Sequence, residues 1–252
     1  MITFMYQSVL PWINAHIILR IMWMMMFVLA GTVFFPLPVS SENLPLRTQS
    51  LLDQVPDKTK QVIVVFVPQE EESGAELSCF EQHKDHWRQR FPAVPALIGY
   101  GGLAKPGEKR EGDGKTPQGM YALRFSFGQK ATPPGKMPYR LMRDNDFWID
   151  DPSSPAYNTL QSGDIGSVSA ERMKLRDGRY DLGLLIEYNT NPIITGFGSA
   201  IFLHIWLNPR EATHGCVALK KENLKRILAW LDPEKDPVII ISGAGADNHG
   251  TK

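Results

Sequence analysis

Apolar residues in this chain come in short runs broken by proline, glycine and polar turns, which is the pattern of strands rather than long helices. Gln61–Val67 is β-branched throughout and is stopped by Pro68, so it predicts the first strand. A charged turn, Glu70 to Gly74, separates it from a loosely alternating segment, Ala75–Gln82, that predicts a returning hairpin strand. Trp87–Leu103 is interrupted by Pro92 and Pro95 and predicts irregular or edge β-structure. Met120–Phe127, Leu182–Tyr188, Ala200–Leu203 and Pro237–Ser242 predict further strands, with a turn at Asn189–Pro192. One segment breaks the pattern. In Glu222–Asp232, Leu224, Ile227, Leu228 and Leu231 follow helical spacing, and Pro233 lies just beyond the end. The pattern predicts a mainly β fold with one amphipathic helix near the C-terminus.

The N-terminal region is separate in character. Arg20 is the only charged side chain before Glu42, and an apolar run from Ile21 to Phe35 follows it. This predicts a signal peptide over residues 1–41, with the small residues Val39-Ser40-Ser41 available for cleavage. The alternative is a retained membrane anchor using residues 17–35. Residues 42–60 are polar and predict a linker, residues 61–243 a single catalytic-size domain, and residues 244–252 a frayed tail that makes His249 a poor catalytic candidate. Lys+Arg and Asp+Glu both number 27, so charge gives no reason to expect nucleic acid as a partner. Two cysteines are too few for a disulfide framework.

Candidate chemistry concentrates in Thr195–Leu219. His204 ends an apolar run, and Thr213-His214-Gly215-Cys216 precedes apolar Val217-Ala218-Leu219. A thiol attacks a carbonyl as its thiolate, and an ordinary thiol at pKa ~8.5 needs a base beside it. Two candidates exist: His204, if the intervening loop folds back, and His214, which at two residues from Cys216 is less able to turn its ring onto the sulfur. Gly215 lets the backbone approach a reacting carbonyl, and the amides of His214, Gly215 and Cys216 are candidate oxyanion donors. The competing reading of Cys216 is a buried structural thiol, which is also the reading for Cys79. A Cys79–Cys216 disulfide would silence the nucleophile. Gly112, Gly114 and Lys115 do not form a phosphate loop, since the GxxxxGK[ST] spacing is missing and a strand follows. Asp150-Asp151 resembles a metal or acid–base pair, but neighbouring strand residues point to opposite faces, and a turn before Pro152 is the simpler reading. Ala170–Asp181 is charged and predicts surface. A papain-like protease is disfavoured because Cys216 follows His204 and no helix carries it.

The segment Gly198-Ser-Ala-Ile-Phe-Leu-His204, followed by Thr213-His-Gly-Cys216, resembles the L,D-transpeptidase catalytic domains of the YkuD family of cell-wall enzymes. Gly112-Asp-Gly-Lys-Thr-Pro-Gln-Gly119 resembles that family's glycine-rich turn, and Asp150-Asp151-Pro152 with Tyr157-Asn158 resembles a segment of one of its branches. The resemblance implies a β-sandwich or barrel-like domain with Cys216 as nucleophile, His204 as general base and acid, and backbone oxyanion donors at residues 214–216. It implies peptidoglycan stem peptides as donor and acceptor, no cofactor or metal, and a periplasmic or envelope location. The implied reaction releases D-Ala and forms 3→3 cross-links, with water or another amine as other acceptors; a non-catalytic peptidoglycan-binding module is the competing outcome. Two features depart from the family. Eight residues, Ile205–Ala212, separate His204 from the second motif where the family has more, and Ala218 stands where the family carries arginine.

Overall fold

The structure is a computed structural model that describes residues 44–245. The predicted signal or anchor segment, and His249 in the tail, lie outside the described residues. Helix α1 (Leu46–Leu52) leads into β1 (Gln61–Val67), β2 (Gly74–His83) and β3 (His86–Leu97). Short strands β4 (Leu103–Ala104) and β5 (Thr116–Pro117) precede β6 (Gly119–Gly128) and β7 (Tyr139–Leu141). A three-stranded side sheet follows, from β8 (Asp146–Ile149), β9 (Leu160–Ser162) and β10 (Ala170–Arg172). Then come β11 (Leu182–Ile186), β12 (Phe202–Ile205), β13 (Val217–Leu219), α2 (Lys221–Trp230) and β14 (Val238–Gly243).

The main sheet runs β11-β12-β13-β3-β2-β1-β14-β6-β7, and β6 also pairs with β11. That last pairing closes the sheet into a barrel-like ring with β7 added outside. The seam between β13 and β3 is narrow, with the single register pair Ala218↔Leu97. This is why β3 tolerates Pro92 and Pro95: among the described residues most of its second edge has no ladder partner that needs an amide.

The continuous apolar run of β1 has a direct cause. It lies between β2 and β14, and both its faces are covered. Ile63, Val65 and Val67 enter the main core, while Val62 and Val64 enter a second cluster with Leu52, Phe80 and Trp87. Helix α1 supplies Leu52 to that outer cluster, at 1% exposure. The polarity of residues 42–60 hid this helix, because seven residues with a single buried leucine have almost no periodic signal.

Helix α2 buries Leu224, Ile227 and Leu228 in the main core as its spacing requires. Each such side chain contributes about 1.5–3 kcal/mol by leaving water. The helix stops at Trp230, earlier than the sequence pattern indicated, and the Asp232 amide turns onto Gln61 Oε1 at 2.8 Å. Among the described residues no helix is long and apolar enough to cross a membrane.

Candidate active site

Strands β12 and β13 are parallel neighbours, with His204 opposite Ala218 and Leu203 opposite Val217. Leu203, Ile205, Val217 and Leu219 all point into the main core. Strand alternation therefore sends Phe202, His204, Cys216 and Ala218 to the other face. There, Phe202 and Cys216 join a second core cluster with Phe127, Trp148 and Tyr180. His204, Cys216 and Ala218 line a cavity of about 490 Å³. The same cavity is walled by Trp206, Leu207, Glu211 and Ala212 of the short loop after β12.

The turn before Cys216 is held from several sides. Thr213 donates its hydroxyl to the Cys216 carbonyl at 2.6 Å and accepts from the Gly215 amide at 3.1 Å. The Thr116 hydroxyl donates to the Gly215 carbonyl at 2.8 Å and itself accepts from the Gly99 amide. Gly215 has φ 141°, and a Cβ there would lie 2.9 Å from the Lys115 carbonyl oxygen. Both facts demand glycine. The loop Gly112–Gly119 thus buttresses the cysteine turn, a role its polar sequence did not reveal. Of the three candidate oxyanion amides, that of Gly215 is occupied by Thr213; those of His214 and Cys216 have no hydrogen bond among the described residues.

Cys216 and Cys79 are both free thiols. The Cys216 sulfur accepts from the Phe202 amide at 3.3 Å and donates to the Ala200 carbonyl at 3.2 Å. No hydrogen bond joins it to His204 among the described residues. Burial, reinforced by the Glu171 charge, pushes the thiol up to about 12. His204 is 7% exposed, and burial lowers its pKa to about 4. Its Nδ1 lies 2.9 Å from the Ile205 carbonyl oxygen. A carbonyl only accepts, so Nδ1 carries the proton and Nε2 is left as the base. At neutral pH the resting pair is therefore thiol and neutral imidazole. His214 is exposed, with its ring edge-on to Tyr100 at 5.5 Å.

The opposite wall was only partly legible. The charged stretch 170–181, expected at the surface, contributes Glu171, Arg179 and Tyr180 to the cavity. Tyr180 is fully buried, donates to Glu171 at 2.5 Å and packs edge-on against His204 at 5.4 Å. Met173, at 0% exposure, draws the segment inward; its few apolar positions, scattered among charges without a period, were too weak a signal to read. Arg179 is paired with Asp177 at 2.9 Å. Asp150 and Asp151 do diverge. Asp151 accepts from the Ser153 amide and hydroxyl, the expected turn, whereas Asp150 lines the cavity. Its Oδ1 is buried without a hydrogen-bond partner among the described residues. Among the described residues no group of three His, Cys, Asp or Glu is placed to hold a metal ion.

No curated protein matches the chain. Among solved structures, the helical cell shape determining protein Pgp2 from Campylobacter jejuni aligns at 16% identity, over 73% of this chain and 48% of its own, with a TM-score of 0.38. The chain thus spans about half of that protein. The family model for the L,D-transpeptidase catalytic domain, YkuD, matches residues 75–240, which include the residues lining the cavity and both candidate residues and leave out strand β1. Over most of its length, therefore, the chain belongs to the L,D-transpeptidase catalytic domain family.

Proposed function

We propose that the protein is a peptidoglycan L,D-transpeptidase, exported to the periplasm or cell envelope and acting through Cys216. The observation that carries this reading is the parallel β12–β13 pair, which puts Cys216 and His204 on one face and in one cavity. In the proposed reaction, His204 Nε2 takes the thiol proton as Sγ bonds to the carbonyl carbon of the third residue of a tetrapeptide stem. The amides of His214 and Cys216, joined by Gly215 once it releases Thr213, hold the oxyanion. The carbon–nitrogen bond to D-Ala breaks, and His204 returns its proton to the leaving amine. The thioester then passes its acyl group to the amine of a second stem, giving a 3→3 link, and the thiol is regenerated.

The resting thiol must first leave the Ala200 carbonyl, since it makes no hydrogen bond to His204. That same observation favours a second reading, a peptidoglycan-binding module without catalysis, to which Ala218 in place of arginine also inclines. Incubation of the purified protein with a tetrapeptide muropeptide decides between them. The transpeptidase reading requires D-Ala release together with cross-linked dimers. Tripeptides alone would make the same site an L,D-carboxypeptidase, and binding with no D-Ala release would establish the non-catalytic module.

A further inference from the structure

One buried amide side chain ties the side sheet to the nucleophile. Asn158 is 3% exposed and has φ 55°, a backbone region that asparagine tolerates better than other residues with a Cβ. Its Oδ1 accepts from Trp148 Nε1 at 2.8 Å and from the Ala200 amide at 3.1 Å. Its Nδ2 donates to the Asn189 carbonyl at 2.6 Å and to the Tyr188 carbonyl at 3.3 Å. All its donors and acceptor sites are used. Asn189 continues the network by donating to the Gly198 carbonyl at 2.8 Å. The held segment ends at Ala200, which sits at φ 53° although it is not glycine and offers its carbonyl to Cys216 Sγ at 3.2 Å.

We propose that Asn158 is a positioning residue for the nucleophile: by fixing Ala200 in a left-handed conformation, it aims the Ala200 carbonyl at Cys216 Sγ and sets the resting orientation of the thiol. This rests on Cys216 being the nucleophile. The latch acts on a neutral thiol, because a carbonyl accepts S–H but repels a thiolate. It keeps the sulfur beside the Phe202 amide, in the cavity that His204 also lines, until substrate enters. Glu171, Lys109 and Arg179, whose charges also bear on the thiol, are unchanged when Asn158 is altered. Tyr180 and His204, packed against the same cluster, are likewise unchanged.

The test is Asn158→Gly, which permits φ 55° and removes only the side chain. Iodoacetamide labelling of the full chain is followed against pH, with peptide masses separating Cys216 from Cys79. The expected result is Cys216 labelling about tenfold faster at a fixed pH of about 8, as a thiol pKa lowered by about one unit gives. A folded Asn158→Gly protein with the wild-type labelling profile overturns the proposal. If that variant does not fold, Ala200→Val carries the test, because a β-branched residue does not hold φ 53°. An unchanged Cys216 profile there overturns the proposal equally. Labelling is read independently of turnover, so loss of the transpeptidase reading through an active Cys216→Ala variant remains distinguishable from loss of the latch.

Discussion

The two cysteines sit in regions that look alike by burial and differ in everything chemistry needs. Cys79 is in the middle of β2, 2% exposed, paired in register with Ile63 and packed into the main core. Cys216 is 9% exposed, at a turn just before β13, on the face that opens to the cavity. Burial pushes both thiols up. A perturbed thiol is thus no mark of a nucleophile here. The distinction is positional: of the two, Cys216 shares a cavity with a neutral imidazole, beside the His214 and Cys216 amides, which have no hydrogen bond among the described residues.

Removing each group in turn sharpens that contrast. The largest effect is expected for Cys216→Ala, which should lower D-Ala release by about a thousandfold or more, as loss of a covalent nucleophile does. His204→Ala should follow, with a loss of about 10²–10⁴, while His214→Ala should stay within a few-fold because its ring faces Tyr100 and solvent. A muropeptide assay by mass spectrometry reads all three. Normal turnover in His204→Ala with loss in His214→Ala would reverse the assignment.

Next comes stability against pH. The folded pKa of His204, about 4, lies below its ordinary value of 6.5. As pH falls below 6.5 the unfolded chain takes up a proton that the folded protein refuses, so stability from this group is present above 6.5 and lost on the way down to 4. The loss is about 3 kcal/mol across that window. Denaturant melts of wild type and His204→Gln at several pH values isolate it, and equal slopes for the two would remove His204 as the cause. The smallest effect is expected for Cys79→Ala. It should cost about 1 kcal/mol of stability and leave turnover unchanged; a marked loss of turnover would erase the contrast between the two thiols.

Much of the barrel could be read from the chain because the physics is local. Gln61–Val67 and Val238–Gly243 are continuous apolar runs, and two-sided burial accounts for them. The spacing of Leu224, Ile227 and Leu228 required a helix that buries one face. The cavity floor was legible for a similar reason, since His204 and Cys216 stand at the ends of apolar runs. The cavity wall was not. Glu171, Tyr180 and Asp150 arrive from the side sheet and the segment after it, and no local period tells a charged residue to face inward. Helix α1 was missed through brevity. The resting orientation of the thiol was beyond sequence reasoning altogether, because it depends on the left-handed turn at Ala200 and on Asn158, forty-two positions away in the chain.

The most direct test is the covalent intermediate. The protein is mixed with a tetrapeptide stem, quenched in acid, digested and examined by mass spectrometry. The expected result is a peptide bearing Cys216 that has gained the tripeptide acyl group, with D-Ala released in equal amount and no such gain on Cys79. D-Ala release that persists in Cys216→Ala, or an acyl group found on any other residue, would contradict it.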